Sequence, residues 1–341
     1  MVEIPRKTNQ IVTLIDDHRA KAQDEPRPHL GASLLGHYCD RHLWLVFRWV
    51  NQEQLSGRMR RLLRRGKNEE RIVIEDLRAV GIKIKETGEE QDRVDFGNHV
   101  AGSMDGIILS GVPEAPNKPH ILEIKTHNKE SYNDLEKKGV QASKFQYYVQ
   151  CQAYMLGKKV DRAIHVNSCK NDDRYHIERI KLDRQLAQKY VDRGHRITSS
   201  DRIPPPISTD ATWYQCKLCS HHAFCHKSAL PEVNCRTCAH STACKDSTWR
   251  CERHKADNIP LDFQTKGCAD HVLHPDLVPW ALDEDASTEW QAVYIIDGKP
   301  VLNGPDGYHS SEIVANPLVC AHHDKTISEV KKLFPGTVIV G

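Results

Sequence analysis

The sequence has no apolar run approaching the roughly 18 residues that would cross a bilayer, so a membrane-spanning helix is not expected. Its first residues, Met-Val-Glu-Ile-Pro-Arg-Lys, carry no apolar core, so no export signal is read and a cytoplasmic chain is expected. It also lacks a surplus of charge: 48 Lys and Arg stand against 46 Asp and Glu, a formal +2 over 341 residues. Affinity for a polyanion therefore has to come from local patches rather than bulk charge. The densest is Arg58, Arg60, Arg61, Arg64, Arg65 and Lys67, which reads either as a phosphate-holding run or as a solvated helix face. Cysteine is the residue not in short supply. Twelve in a chain without a secretion signal favour metal binding over disulfides. A hydrophobic content of 39% and a charged content of 28% describe a globular chain with room for one large domain and a small one.

Chemistry concentrates between Asp105 and Tyr154. The run Ile121-Leu122-Glu123-Ile124-Lys125 is the sharpest part. Strand side chains alternate, so Glu123 and Lys125 share one face and Leu122 and Ile124 the other. A carboxylate and an ammonium two residues apart on a buried strand are costly to desolvate. They make sense where a hard cation neutralises Glu123 and Lys125 points at a phosphate or a water. Asp105, in Gly102-Ser103-Met104-Asp105-Gly106, is expected on a similar strand over 100–109 and supplies a second oxygen ligand. Magnesium prefers one or two carboxylates with waters and phosphate oxygens. The plainer alternative, a surface strand with an exposed Glu–Lys pair, leaves the cysteines unexplained.

Upstream, residues 59–80 have a helical pattern. The 100° step places Glu70 near the centre of the face made by Met59, Leu63, Ile74 and Leu77, with Glu69 on its margin. A carboxylate inside an apolar stripe points to function, whereas a helix broken at Gly66 would leave Glu70 exposed. Gln150 and Tyr154 are four apart and share a face of a helix expected over 141–156. The alternative there is a tyrosine-rich core helix with a satisfied amide.

At Asp105, Glu123-x-Lys125 and Gln150-x3-Tyr154 the sequence resembles the PD-(D/E)xK nuclease superfamily. More narrowly it is similar to the RecB-like branch, which includes phage-type recombination exonucleases, CRISPR-adaptation nucleases with an iron–sulfur cluster, and AddB-type nuclease domains. The match covers residues 39–225, and Met104 stands where the family name has its proline. The resemblance implies an α/β, restriction-endonuclease-like fold with a mixed β-sheet core flanked by helices. It implies a Mg2+- or Mn2+-dependent DNA exonuclease of phage or prophage recombination or repair, in the bacterial host cytoplasm if phage-encoded. Asp105 and Glu123 would hold the metal, Lys125 would assist the reaction, Glu70 would be the helix-borne partner, and Gln150 and Tyr154 would touch DNA. DNA is the implied partner, with a single-strand annealing recombinase as a further one. The competing reading is a non-catalytic DNA-binding or scaffold protein that keeps the fold.

Seven of the cysteines fall between Cys216 and Cys251. Cys216-x2-Cys219-x5-Cys225 needs a fourth ligand, and Cys39 is the candidate. One cysteine before the core and three after it resembles the iron–sulfur cage of RecB-like nucleases, which implies a 4Fe–4S cluster stapling the two ends of the domain. Four thiolates suit zinc as well. Cys235-x2-Cys238-x5-Cys244 repeats the first spacing 19 residues on, and would make a second cluster with Cys251. The preferred reading is a zinc ribbon held by Cys235, Cys238, Cys251 and Cys268, with Trp249-Arg250-Cys251 and Gly267-Cys268 as knuckle turns and Cys244 free. Cys151 and Cys169 read as core residues.

These signals divide the chain into an N-terminal segment (1–30), a nuclease domain (31–231), a zinc-ribbon-like module (232–284) and a small α+β extension (285–341). Further strands are expected near 80–85, 163–168 and 175–180, a helix over 182–197, and in the extension a strand over 292–296, a helix over 328–333 and a strand over 337–340.

Overall fold

The computed structural model describes residues 10–22, 25–52, 54–322 and 333. It is a mixed α/β chain whose first half builds two sheets joined at Asp105. In chain order the elements are helix α1 (Gln10–Ala20), strand β1 (Leu30–Gly31), α2 (Asp40–Phe47), α3 (Gly57–Ala79), β2 (Lys83–Lys85), β3 (Arg93–Gly97), β4 (Val100–Ser103), β5 (Gly106–Ser110), β6 (His120–His127), α4 (Lys129–Ser143), α5 (Phe145–Lys158), β7 (Arg162–Cys169), β8 (Tyr175–Lys181) and α6 (Arg184–Thr198). The five-stranded sheet has the order β2-β5-β6-β7-β8. All its pairs are antiparallel except β6 with β7. A parallel pair needs a long crossover, and α4 and α5 supply it.

The alternation of β6 sorts its side chains as the sequence predicts. Leu122 and Ile124 join Val73, Ile74 and Leu77 of α3 with Ile108, Ile164 and Val166. Ile121 joins the larger core with Val149, Ala153 and Tyr154 of α5. The sheet thus lies between α3 and α5. Ser56 caps α3 by accepting a hydrogen bond from the Met59 N–H, and the helix passes through Gly66 without a break.

The single strand expected over 100–109 is two strands. β4 belongs to a small sheet of order β1-β4-β3, β5 to the large one, and Met104 and Asp105 form the joint. A second departure is α4, where only a later helix over 141–156 was expected. Its composition is polar, and Gly139, at φ +78°, kinks it so that the Val140 N–H meets the Glu178 carboxylate at 2.7 Å.

Beyond α6 come two short helices, α7 (Tyr214–Lys217) and α8 (His222–Lys227), then a hairpin of β9 (Ser241–Ala243) and β10 (Trp249–Cys251). A three-stranded antiparallel sheet follows, β11 (Ala281–Thr288), β12 (Gln291–Ile296) and β13 (Lys299–Asn303), over its own core of Val272, Leu273, Tyr294, Val301 and Ile313. β12 matches the strand expected over 292–296. β11 runs through the expected boundary at 284, and the expected elements at 328–333 and 337–340 lie outside the described residues apart from Leu333. No helix among the described residues is long and apolar enough to cross a membrane.

Residues 232–284 do not pack as a separate unit. Trp249, Ile259 and Leu277 belong to the same core as Trp44, Phe47 and Leu30. Arg236, 1% exposed, donates hydrogen bonds to the carbonyls of Phe47 (2.9 Å) and Pro28 (3.0 Å) and to Gln264 Oε1 (3.0 Å). Its guanidinium lies 3.6 Å from the Trp49 ring centroid and 4.9 Å from that of Trp249. A buried arginine keeps its charge only where donors are paired and aromatic faces take the rest. Ending the chain at 231 therefore uncovers Trp44, Phe47 and Trp49. Such a truncation is expected to lose cooperative unfolding in a thermal melt, and Trp249→Ala in the full chain to cost about 3–5 kcal/mol. A truncated chain that melts like the whole would make the two parts independent.

Candidate active site and cysteine clusters

Glu123 and Lys125 project from the same face of β6, and the Lys125 ammonium donates a hydrogen bond to Glu123 Oε1. Glu123 is 1% exposed and Lys125 about a quarter exposed, so the pair opens to solvent through the lysine. Asp105, at the joint of the two sheets, turns its carboxylate onto the neighbouring strand, where Oδ2 accepts from the Ile124 N–H at 2.7 Å. Glu70 approaches from α3, half-buried, with Oε1 accepting from Gln91 Nε2 at 2.8 Å. Glu69 is turned away and accepts from Ser168 Oγ at 2.6 Å.

One ammonium thus feels three carboxyl groups, of which Glu123 alone is hydrogen-bonded to it. Burial and the nearby Asp105 carboxylate push Glu70 up to about 7, against the pull of Lys125. Burial and Asp105 also raise Glu123. Asp105 is raised by burial, partly offset by Lys125 and the Ile124 N–H. Burial works against the Lys125 charge, but Glu123 and Asp105 outweigh it and hold the lysine protonated. The ammonium also lies 5.4 Å from the Tyr147 ring centroid. The arrangement is short of positive charge, and Glu123 Oε2 is buried without a hydrogen-bond partner among the described residues.

Gln150 and Tyr154 do come together, but as buried groups, at 4% and 1% exposure. Gln150 Nε2 donates to the Tyr154 hydroxyl at 3.4 Å, and that hydroxyl donates to the Ser103 carbonyl at 2.7 Å. A Cβ on Gly102 would stand 2.6 Å from the Tyr154 oxygen, so the glycine makes the approach feasible. The pair fixes the backbone two residues before Asp105. The DNA contact expected of them does not fit side chains closed off by their own helix and β4.

Sequence reasoning missed Tyr147 and the polar residues of β7. His165 sits in register with Glu123, and Asn167 with Lys125. The His165 ring stacks on Tyr147 with centroids 6.1 Å apart, and burial with the Lys125 charge lowers its pKa to about 3. Asn167 Oδ1 lies 3.0 Å from His127 Nε2. Polar residues at every second position of an otherwise apolar strand were the available signal.

Cys39 caps α2, its sulfur accepting from the His42 N–H at 3.4 Å. It lines one cavity with Cys216, Cys219 and Cys225, which come from α7, the turn after it and α8. The Tyr38 hydroxyl donates to the Gln215 carbonyl (3.2 Å) and Arg41 Nε to that of Pro204 (2.7 Å), tying segments more than 160 residues apart. Burial raises the Cys216, Cys219 and Cys225 thiols, with a further upward contribution from Cys39 in each case. In the second set, burial raises Cys235 to about 11, with contributions from Cys268 and Cys251, and raises Cys238 to about 12, with Cys268 and Cys235 contributing. Cys244 contributes to none of them; its sulfur turns to the Thr242 carbonyl. Zn–S bonds of about 2.3 Å put tetrahedral sulfurs about 3.8 Å apart. Neither set has three sulfurs that close; among the described residues the group of three potential ligand atoms within 4.8 Å of one another is His42, Cys219 and His221.

No protein-family model matches the chain, and no curated protein matches it. Among solved structures it is similar to an alkaline exonuclease from Laribacter hongkongensis, at 17% identity and a TM-score of 0.35 over 50% of this chain and 87% of that one. In complex with dAMP the same exonuclease matches at 18% identity and 0.38, with the same coverage. The protein SSO0001 matches at 14% and 0.37 over 63% of this chain and 96% of that one. At these identities and TM-scores the likeness decides nothing about activity.

The Tyr154 bond to Ser103 has a direct test. Tyr154→Phe leaves a buried carbonyl without its donor, at a cost of about 1–3 kcal/mol. Urea unfolding is expected to show that loss, while affinity for DNA stays within twofold of the parent protein; a large loss of affinity with unchanged stability would restore the contact role.

Proposed function

We propose that the chain is a Mg2+- or Mn2+-dependent nuclease that hydrolyses the phosphodiester bonds of DNA. The observation that carries the reading is that Asp105, Glu123 and Glu70 all act electrostatically on one ammonium while a buried Glu123 oxygen is left unpartnered. The three carboxylates do not lie within 4.8 Å of one another and would draw together around a cation. Such an oxygen-only, charge-deficient set fits a hard cation. Asp105 and Glu123 would hold it, with Glu70 as the third carboxylate. When bound, the cation supplies a Lewis acid beside the scissile phosphate and offsets the carboxylate charge. Lys125 stays protonated, hydrogen-bonded to Glu123, and would stabilise charge developing on phosphate oxygens. The exonuclease activity and a place in phage or prophage recombination, with a single-strand annealing recombinase as partner, rest on the sequence resemblance alone.

Asp105→Asn and Glu123→Gln keep shape and remove ligand charge. Both variants are expected to fold, because the amide oxygen can still accept the hydrogen bond that each carboxylate accepts, from the Ile124 N–H and from Lys125. Cleavage of linear DNA should fall by roughly 100-fold or more, as should cleavage by Lys125→Ala and by the parent protein in EDTA. Full activity of pure Glu123→Gln would leave the scaffold reading standing.

The cysteines carry a second part of the proposal. Cys39, Cys216, Cys219 and Cys225 would hold a 4Fe–4S cluster; a zinc ion on Cys235, Cys238, Cys251 and Cys268 rests on their sequence spacing and would require their sulfurs to draw closer. Four thiols around one cavity fit a cluster, and metal affinity becomes folding free energy where the ligands are so far apart in sequence. Protein purified without oxygen is expected to be brown and to contain about four iron atoms per chain. Cys39→Ser should bleach it and lower its melting temperature. A colourless protein holding zinc alone would overturn the cluster.

A further inference from the structure

The arginine-rich half of α3 is more than a solvated charge run. With a 100° step per residue, Met59 and Leu63 lie within about 20° of Glu70 on the helix face. They stay exposed, at 42% and 52%, although the same face is buried further along at Ile74 and Leu77. Arg64 and Lys67 are exposed and lie to one side of that line, about 60–120° round from Glu70. On the opposite flank Arg65 is engaged, donating to the Lys170 carbonyl at 2.8 Å, and on the far face of the helix Arg61 pairs with Asp16 of α1 at 3.0 Å. An apolar line bordered by cations therefore runs from Glu70 toward the start of the helix. At 1.5 Å per residue it extends about 16 Å from Glu70 to Met59, enough for on the order of three to five nucleotides.

We propose that this strip binds a single DNA strand on its way to the site of Asp105 and Glu123, so that the substrate enters unpaired. The inference rests on the nuclease reading for its destination, but its occupant is argued from the strip itself. Arg64 and Lys67 match the spaced negative charge of a phosphate backbone. Met59 and Leu63 ask for apolar partners beside those phosphates. A duplex keeps its base faces inside the stack and offers the strip only phosphates. An unpaired strand offers both, as in other single-strand grooves.

The test is anisotropy binding of labelled single-stranded and duplex DNA to the full-length protein, in Ca2+ to suppress cleavage. Arg64→Gln with Lys67→Gln is expected to weaken single-strand binding by roughly 10- to 100-fold and to reduce the slope of log affinity against log salt by about 1.4. Met59→Ser with Leu63→Ser should weaken single-strand binding several-fold and leave duplex binding and the salt slope unchanged. All four side chains are exposed or stand on an exposed helix half, and unchanged melting temperatures confirm folding. Equal losses on duplex and single strand from the serine pair, or no loss from the glutamine pair, overturn the proposal; so does binding of an acidic protein in place of DNA. Strand binding that survives with no metal-dependent cleavage would instead defeat the nuclease reading and leave the strip in place.

Discussion

A carboxylate at 1% exposure in the middle of a five-stranded sheet is tolerated only if its charge is met, and Glu123 imposes that condition on everything around it. Lys125, two residues along the same face, meets one of its oxygens. The other has no partner among the described residues. Asp105 adds a second carboxylate in the same region and spends one oxygen on the Ile124 N–H, an interior backbone donor of the same strand. That bond explains the split of the expected strand at 104–105. A continuous strand would carry the Asp105 side chain away from β6 by simple alternation, whereas a bend between two sheets lets it reach across. The Tyr154 hydroxyl on the Ser103 carbonyl then holds the bend from behind.

The same logic of long-range closure governs the rest of the chain. The start of α2 meets Pro204 and α7 through backbone acceptors, and α7 and α8 through thiols that line one cavity. The segment after 231 returns to the far end of α2 and places Arg236 among Phe47, Trp49 and Trp249. A guanidinium so enclosed draws its stability from three carbonyl or amide acceptors and the ring faces, not from a buried acid. Loop closure over nearly 200 residues costs only slightly more than over half that length. Such contacts therefore need only a modest surplus of interaction, which metal coordination at either cysteine set would increase.

Much of the site was legible because its signals are local. Period-two alternation separated Glu123 and Lys125 from Leu122 and Ile124, and the 100° step set Glu70 on the inner face of α3 and Glu69 beside it. The four-residue spacing of Gln150 and Tyr154 placed them together but said nothing of burial, which depends on how closely β4 passes, and hence on Gly102. Composition hid α4, whose polar residues and kinked Gly139 give no apolar stripe. It also hid β11 and β13, whose register is set by pairing with β12 rather than by their own pattern. The boundary at 231 looked natural because cysteine density rises there. It dissolves in three dimensions because Trp249 and Arg236 answer to Phe47 and Trp49, a dependence that no local window contains.

Charge also decides what the active-site region asks of its surroundings. Three carboxyl groups against one lysine leave an excess of two negative charges when all are ionised. Folding without a counter-charge is accommodated by proton uptake, which burial favours at all three carboxyls and mutual repulsion at two, pushing Glu123 to about 8 and the less enclosed Glu70 to about 7. A divalent cation supplies the missing charge without a proton; a monovalent ion supplies only half of it. In the proposed nuclease, the divalent cation and the Lys125 ammonium would together meet an approaching phosphate. The exposed cations on α3 then matter at long range, because they offset the repulsion that an anionic strand would meet from those same carboxylates before any cation binds.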